Sequence, residues 1–423
     1  MKTRLATPLL ETPAGREADA ILRSCVHCGF CLATCPTYQL LGDELDSPRG
    51  RIYLIKEALE GAPISRPTQL HLDRCLTCRA CETTCPSGVR YGELVEIGRA
   101  FVDERTPRRV QERLLRRALR LILPEPRRFA AAYRIGRSLR RWLPAQLRSQ
   151  FAHESHTPPP VDSSHARRTM IVLEGCVQPT LAPEINAAAR NVFARLGIRL
   201  EAAPNAGCCG ALDHHLNAER AALDRMRRNI DAWLPMLERG AEAIVVTASG
   251  CGVEVKDYGR LLSHDPAYAE AAQRISAATL DLSEALTREA PALLELLGQH
   301  PRPAQKIAFQ APCTLQHGQR IVGTVEALLA KAGYTPTFVP DAHLCCGSAG
   351  TYSLLHPEIA ARLREQKLVA LQSDRPALIA TANIGCLTHL RGAADIPVVH
   401  WISLIEARLA AVQAFQSGVR ALQ

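Results

Sequence analysis

Two groups of four cysteines lie near the start of the chain at identical spacing. CVHCGFCLATCP runs from Cys25 to Pro36 and CLTCRACETTCP from Cys75 to Pro86, and both read Cys-x2-Cys-x2-Cys-x3-Cys-Pro. At this spacing the first three thiolates bind one iron–sulfur cube, whereas the fourth binds the cube of the other motif. The pattern therefore predicts two 4Fe–4S clusters. One is held by Cys25, Cys28, Cys31 and Cys85, and the other by Cys75, Cys78, Cys81 and Cys35.

Haem and zinc explain these cysteines less well. Covalent haem attachment requires Cys-x-x-Cys-His, but Gly29 and Arg79 follow the two Cys-x-x-Cys pairs. A zinc site uses four ligands, which would leave four of the eight cysteines without a role. We expect His27 to lie beside the first cluster rather than to bind it. Neither cluster keeps an open coordination position, so we expect electron relay and no catalytic residue.

The other eight cysteines form an internal repeat. Three of them recur 137 residues later, and a glycine follows each adjacent pair. In the two copies, 41 and 39 residues separate the pair from the last cysteine. This repetition predicts two homologous domains in tandem. The first set is Cys176, Cys208, Cys209 and Cys251, and the second set is Cys313, Cys345, Cys346 and Cys386.

Each of these sets can bring four thiolates together. Adjacent cysteines such as Cys208 and Cys209 rarely form a disulfide with each other, and their side chains diverge. Soft thiolate ligands select iron–sulfur clusters or zinc. The residues alone leave both cofactors open, together with the alternative of buried reduced thiols without a metal.

The elements that must position these cysteines alternate between strand and helix. An apolar run, MIVLEGC or KIAFQAPC, leads into the first cysteine of each copy, and AEAIVVTASGC or ALIATANIGC leads into the last. Helical patterns such as PEINAAARNVFARLG lie between them. This order predicts an α/β fold with a small parallel sheet in each copy. The cysteines then follow strand C-termini, where such sheets bind ligands.

Four regions follow along the chain. Residues 1–104 are expected to form an α-helical, two-cluster ferredoxin-like domain. Residues 105–165 are expected to form a basic helical connector that ends in a proline-rich linker, TPPPVDSSHARR. The cysteine-rich copies are assigned to 166–298 and 299–423.

Composition indicates a soluble globular protein, with 47% hydrophobic and 22% charged residues among 423. No apolar run is long enough to span a bilayer, and the first residues lack the pattern of a secretory signal. We therefore expect the cytoplasm, where thiols stay reduced and serve as metal ligands.

The net charge of +9 is concentrated in the connector. Between Arg105 and Arg148 there are fourteen arginines against Glu112 and Glu125 alone, with leucines at helical spacing. The segment could contact anionic lipid, dock on an acidic partner subunit, bind nucleic acid, or pack its leucines on its own domains. Partner docking and self-packing are favoured over lipid contact. Nucleic-acid binding is disfavoured because no known recognition motif accompanies the charge.

The repeats GCV…AGCCG…SGCGVE and APC…LCCGSAG…IGCLTH resemble the cysteine-rich CCG domain of heterodisulfide reductase subunits and their relatives. The family pattern usually ends in Cys-x-x-Cys, but Glu254 and His389 occupy the final positions here. This departure argues against a disulfide-cleaving noncubane cluster, which draws on the missing cysteine. A simpler cluster, a metal with mixed ligands and a structural role remain open for each copy.

The whole chain resembles the iron–sulfur subunits of membrane-linked flavin dehydrogenases. HCGFCLATCPTYQLLGDELDSPRGRIYLIKE and CETTCPSGVRYGELVEIGRA are most similar to the glycolate oxidase iron–sulfur subunits. The resemblance implies partner subunits that oxidise glycolate to glyoxylate at FAD, a quinone or other membrane acceptor, and no activity of this chain alone. It places the chain on the cytoplasmic face of the inner membrane.

Two alternatives follow from the same resemblance. The complex could oxidise glycerol 3-phosphate or D-lactate instead, or the chain could reduce thiols or heterodisulfides at a CCG cluster. No G-x-G-x-x-G turn follows a strand and no Walker A sequence is present. We therefore expect this chain to bind neither FAD nor NAD.

Overall fold

The computed structural model describes residues 1–142, 156–298 and 305–421, and the side chains of the last helix as far as residue 415. Part of the predicted connector, 143–155, lies outside the described residues. The same holds for residues 299–304, where the second cysteine-rich domain is predicted to begin, and for the last two residues of the chain.

The N-terminal region is helical, and its helices begin at well-defined caps. The hydroxyls of Thr12, Ser47 and Ser65 accept hydrogen bonds from backbone N–H groups in the first turns of α2, α4 and α5, respectively. Leu22, Ile55 and Leu94 are fully buried among these helices. The helices are α1 Thr7–Leu10, α2 Pro13–Ser24, α3 Pro36–Leu41, α4 Pro48–Leu59, α5 Arg66–Asp73, α6 Ala80–Thr83 and α7 Tyr91–Arg105.

Two further helices follow in the basic segment. They are α8, Val110–Ile122, and α9, Pro126–Ser138, and a single 3₁₀ turn over Arg140–Trp142 ends the described part. Neither helix contributes a buried residue. The arginine-rich leucine pattern therefore does form helices, but their leucines do not join a core.

The first cysteine-rich copy contains a four-stranded parallel sheet in the order β2-β1-β3-β4. Apolar runs form its central strands, where Val172 pairs with Val245 in register. Its strands are β1 Arg168–Leu173, β2 Ile198–Glu201, β3 Ile244–Val246 and β4 Thr279–Asp281. Its helices are α10 Gln178–Leu181, α11 Pro183–Arg195, α12 Ala211–His215, α13 Glu219–Glu238, α14 Ser249–Lys256, α15 Tyr258–Leu261, α16 Ala269–Ala278, α17 Leu282–Arg288 and α18 Ala290–Leu297.

The second copy repeats this topology in the order β6-β5-β7-β8, again with all strands parallel. The predicted α/β class with two small parallel sheets is therefore confirmed. The strands are β5 Lys306–Gln310, β6 Thr335–Pro336, β7 Leu378–Thr381 and β8 Val398–His400. The helices are α19 Thr324–Lys331, α20 Tyr352–Leu355, α21 Pro357–Gln372, α22 Ile384–Arg391 and α23 Trp401–Ala421, with a π-helical turn at Thr314–Gly318.

The two copies share one continuous hydrophobic core, which includes Val172 of the first and Trp401 of the second. Helix α11 packs against α23 across their boundary. Polar groups also join them, because Nε2 of His400 donates to the carbonyl of Thr247 at 3.0 Å. Burial lowers the pKa of His400 to about 3, so this histidine is neutral and the contact does not depend on physiological pH. No helix in the described ranges has the length and hydropathy needed to cross a membrane.

Candidate iron–sulfur and cysteine-rich sites

The first motif borders a cavity that is open to solvent on one side. Helix α2 ends just before Cys25, and a loop with Gly29 in the left-handed region (φ 85°) turns the chain back around the cavity. Glycine tolerates this conformation because it has no Cβ. Five thiols line the cavity, and the four predicted ligands of the first cluster are among them, three from this motif and one from the other. These four ligands are Cys25, Cys28, Cys31 and Cys85.

The second motif borders a second, neighbouring cavity that is also partly open. Its lining contains the reciprocal set of thiols, with Cys35 contributed by the first motif. Cys81 also borders the first cavity, so only one layer of side chains separates the two. The four predicted ligands that line this cavity are Cys35, Cys75, Cys78 and Cys81.

The residues present fit two iron–sulfur clusters. The surroundings of Cys75 favour a thiolate, since the Tyr91 hydroxyl lies 3.6 Å and the Thr77 N–H 3.4 Å from its sulfur. Burial acts to raise the pKa of Cys75, but the positive charges of Arg51 and Arg99 outweigh it and lower the pKa overall. Thiolates are the species that bind metal. The assignment of individual ligands to each cluster stays a prediction.

A buried network of charges lies behind the second cavity. Asp46 is fully buried and accepts hydrogen bonds from Arg51 at 3.2 Å and from Arg74 at 2.9 Å. Nδ1 of His71 lies 3.1 Å from the same carboxylate. Arg51 is only 1% exposed and also donates to the hydroxyl of Thr37. The network fixes a positive charge beside the thiols of the second motif.

Each CCG copy positions its cysteines in the same way. Cys176 and Cys313 follow the first strands of their sheets, β1 and β5, within three residues. The glycine after each adjacent pair, Gly210 or Gly347, has a positive φ, of 97° or 89°. A Cβ on Gly347 would lie 2.7 Å from the carbonyl oxygen of Ala360, so only glycine fits here.

In the second copy the four thiols lie in two close pairs. The sulfurs of Cys313 and Cys345 are 4.0 Å apart, and those of Cys346 and Cys386 are 3.3 Å apart. Two thiolates on one tetrahedral zinc ion are about 3.8 Å apart when each bond is about 2.3 Å. The observed spacing is therefore compatible with a metal or cluster. Asn383 also donates to the sulfur of Cys386, at 3.6 Å.

In the first copy the thiols form a connected series. Hydrogen bonds from the thiols of Cys176 and Cys209 lower the pKa of Cys208 well below its usual range. Cys209 in turn interacts with Cys251. A cavity of about 270 Å³ lies between Cys176 and Cys251. In each copy the four predicted cysteines therefore lie close together. The metal or cluster that they bind stays a prediction.

His389 and Glu254 stand where the family pattern has its last cysteine, and each of them binds a partner that is not a thiol. His389 donates from Nε2 to the carbonyl of Ala360 at 3.2 Å, and burial lowers its pKa to about 4, so it is neutral and engaged. Glu254 is buried and pairs with Nδ1 of His214 at 2.9 Å. Both side chains therefore have partners other than a thiol set.

His214 joins the first CCG copy to the ferredoxin-like region. Its Nε2 lies 3.7 Å from the carboxylate of Glu96 on α7. Burial acts to lower the pKa of His214, but Glu254 and Glu96 outweigh it and raise the pKa to about 9. Because the pKa is higher in the folded state than its usual 6.5, protonated His214 stabilises the fold. This stabilisation is complete below about pH 6.5 and is lost as the pH rises through about 9.

We therefore expect His214→Gln to lower the free energy of unfolding by on the order of 2 kcal/mol at neutral pH, and by much less above about pH 9. Chemical denaturation followed by circular dichroism at several pH values measures this difference. His264→Gln, at an exposed position, is the matched control. A destabilisation by His214→Gln that does not change with pH would contradict the ion-pair explanation.

The second-motif cavity faces the second CCG site. Burial raises the pKa of Cys78, and the nearby thiol of Cys313 raises it further. Both cysteines border one small hydrophobic cluster that contains Leu76 and Cys345. The hydroxyl of Thr83 lies 3.0 Å from Nδ1 of His317, and the Tyr352 hydroxyl donates to the carbonyl of Arg74 at 3.1 Å. The second-motif thiols and the second CCG thiols therefore adjoin each other across this hydrophobic cluster.

The two CCG sites also adjoin each other. The hydroxyls of Ser249 and Thr314, each next to or near a predicted ligand, are 2.8 Å apart. The N–H of Gly250 donates to Oδ1 of Asn383 at 3.3 Å. In the other direction, Ile384 lines the cavity of the first copy. The loops that carry the thiols thus contact each other reciprocally.

The sequence alone did not reveal the side chains that support these thiols. Arg51, Tyr91, Asn383 and His214 lie in ordinary helical or loop patterns, and their roles depend on contacts with distant segments. Only Asn383 carried a local signal, because it lies three residues before Cys386 at the end of a predicted strand.

Comparisons with known proteins agree with this architecture. Residues 21–89 match the 4Fe-4S dicluster domain, and residues 170–256 and 307–391 each match the CCG cysteine-rich domain. A dicluster domain followed by two such domains defines an iron–sulfur protein of the electron-transfer class. The chain is 53% identical to the glycolate oxidase iron–sulfur subunit of Escherichia coli, over 97% of this chain and 99% of that protein. The chain belongs to the family of glycolate oxidase iron–sulfur subunits.

More distant relatives share parts of the same architecture. The "Probable glycolate oxidase iron-sulfur subunit" of Bacillus subtilis is 29% identical over 89% of this chain and 90% of that protein. Lactate utilization protein A of Bacillus licheniformis is 24% identical over 55% of this chain and 97% of its own length. The recognition of the family from the cysteine motifs is thus confirmed, and the chain is an iron–sulfur subunit of an oxidoreductase.

Proposed function

We propose that this chain is the electron-transfer subunit of a complex that oxidises glycolate to glyoxylate at FAD bound to separate subunits. Electrons would reach a membrane quinone through this chain, held peripherally at the cytoplasmic face of the membrane. The name of the E. coli relative supports the substrate. The chain itself is expected to bind neither FAD nor NAD and to be inactive alone.

The observation that carries this proposal is the crossed grouping of eight thiols around two neighbouring cavities. We assign a 4Fe–4S cluster to each cavity, and such clusters supply reversible one-electron transfer when bound. The protein's part is to bring the thiols together and to place a fixed positive charge next to Cys75, which favours the thiolate at that position. Arg51 and Arg99 provide that charge.

The first cavity reaches the surface and is suited to receive electrons from a partner. Cys28 is exposed, and the neighbouring Val26 and Phe30 are 67% and 64% exposed. An apolar rim of this kind around a redox site offers a docking surface for the FAD-bearing subunit. The short distance that such docking provides is what one-electron transfer requires.

The second cavity leads into the interior of the chain. Cys78 adjoins Cys313 across a small hydrophobic cluster, so the second CCG site is the natural next acceptor. We propose that this site binds a further iron–sulfur cluster or zinc through Cys313, Cys345, Cys346 and Cys386. The first copy would do the same through Cys176, Cys208, Cys209 and Cys251. A redox-active group in the second copy would extend the relay, whereas zinc would end it.

The test is reconstitution with FAD-bearing subunits encoded by neighbouring reading frames. We expect the purified chain alone to show iron–sulfur signals in electron paramagnetic resonance (EPR) spectra and no glycolate-dependent dye reduction. Addition of the flavin subunits should allow glycolate to reduce the clusters. Dye reduction by the chain alone would contradict the proposal.

The same assay identifies the substrate, because it measures how fast each compound reduces the clusters. D-lactate and glycerol 3-phosphate replace glycolate in parallel reactions at equal concentration. Faster reduction of the clusters by either compound would reassign the complex to that substrate while leaving the electron-transfer role intact. Cys28→Ser serves as the control that should block reduction of this chain without altering the flavin subunits.

A further inference from the structure

Helix α8 is attached to the protein by its polar face. Nη2 of Arg116 lies 3.4 Å from the carboxylate of Asp73 on α5, and Nε of Arg120 donates to Asp213 of the first CCG copy at 2.8 Å. Near the start of the helix, Glu112 pairs with Arg66 at 2.8 Å. These three side chains link the helix to the body of the protein. This is the reverse of an ordinary surface helix, which buries its apolar side.

The opposite face of α8 is apolar and exposed. Val110, Leu114 and Leu121 are 59%, 58% and 57% exposed, and at 100° per residue they lie within about 40° of one another around the helix. Arg113 and Arg117 are also exposed and border this apolar stripe on one side. The alternative in which the leucines pack on the chain's own domains is therefore wrong for these positions.

Helix α9 and the turn after it repeat the arrangement. Ile135, Leu139 and Trp142 are 62%, 50% and 80% exposed. Their spacing of four and then three residues places them on one side of a helical segment. Exposed arginines, Arg134 and Arg137, lie beside them. Two consecutive segments thus present an apolar stripe bordered by arginine.

We propose that this basic apolar surface, formed by α8, α9 and the turn to Trp142, binds the surface of an anionic phospholipid bilayer. A helix with a strongly apolar face and arginines at its border lies in the bilayer interface, where leucine and tryptophan enter the acyl boundary. The arginine stems extend along apolar surface while the guanidinium groups reach lipid phosphates. The net charge of +12 between Arg105 and Arg148 selects anionic headgroups.

Charge and exposure favour lipid over a protein partner. A protein interface would need an acidic groove that also matches three widely spaced large side chains on each segment. A bilayer accommodates any such pattern and supplies negative charge over its whole surface. This inference concerns where the chain meets the membrane, and it holds whichever substrate the complex oxidises.

The test is flotation of the complete, cluster-containing chain with vesicles. Vesicles of phosphatidylcholine mixed with phosphatidylglycerol are compared with vesicles of phosphatidylcholine alone, at low and at high salt. We expect binding to the anionic vesicles that decreases as salt screens the arginines. The Leu114→Glu/Leu121→Glu variant should bind at least about tenfold more weakly.

The matched control is Val322→Glu/Val369→Glu, at two positions that are 75% and 73% exposed in the second CCG copy. It should bind vesicles like the unchanged chain, and both variants should keep their EPR signals. Lack of binding to anionic vesicles at low salt would overturn the proposal. So would equal binding by the Leu114→Glu/Leu121→Glu variant. If the Leu114→Glu/Leu121→Glu variant bound vesicles normally but no longer bound a second copy of the chain or the flavin subunits, the surface would be a protein interface. The lipid proposal would then be rejected.

Discussion

Cys35→Ser is expected to remove the cluster of the second motif and to leave the cluster of its own motif in place. Cys35 lines the second cavity with Cys75 and is absent from the lining of the first. A serine hydroxyl is a poor ligand for iron where a thiolate is required. Iron content should fall to about half of the value for two clusters, and electron transfer through the chain should cease.

EPR spectra distinguish the clusters by comparison with two other variants. Cys75→Ser changes a ligand of the same proposed cluster, and Cys28→Ser changes a ligand of the other. The spectrum of Cys35→Ser should match that of Cys75→Ser, whereas Cys85→Ser should match Cys28→Ser. A match of Cys35→Ser with Cys28→Ser would contradict the crossed arrangement.

Asp46→Ala should cause a large loss of stability in the ferredoxin-like region. Asp46 is fully buried and neutralises Arg51, which is 1% exposed, while it also binds His71 and Arg74. Removing one partner of a buried ion pair leaves the other charge without compensation, which costs about 3–5 kcal/mol. Asp46→Asn retains the shape and part of the hydrogen bonding, so its effect should be smaller.

Denaturant unfolding, followed by circular dichroism and by loss of cluster absorbance, measures this change. Asp374→Ala is the matched control because the Lys306–Asp374 pair is exposed, at 55% and 50% for the two side chains. An exposed pair contributes about 0–1 kcal/mol. Equal effects of Asp46→Ala and Asp374→Ala would show that the buried network does not support the fold.

The sequence was most informative where the chain repeats itself. The doubled motif predicted that Cys35 and Cys85 exchange partners. Cys85 lines the first cavity and Cys35 the second, while the crossed ligand assignment stays a prediction. The offset of 137 residues predicted two tandem domains, and the alternation of strands and helices predicted the parallel sheet that each of them contains. These predictions succeeded because the sequence next to each cysteine largely determines the local backbone that positions it.

The relations between distant segments could not be predicted in this way. No pattern in either segment indicates that Cys78 adjoins Cys313, since the contact depends on how two domains pack. Helical periodicity showed that α8 has an apolar face, but it did not show which face would turn inward. The ion pairs of Arg116 and Arg120 decide that, and their acidic partners lie on other elements.

The shared core of the two CCG copies has a consequence for the origin of the chain. Thr314 of the second copy contacts Ser249 of the first, while Ile384 of the second lines the first copy's cavity. This reciprocity is the geometry of a two-fold symmetric dimer whose subunits have become one polypeptide. An ancestral single repeat would have had to pair with a copy of itself to cover its apolar side. Within one polypeptide the two halves need not be identical, and they differ here at Glu254 and His389.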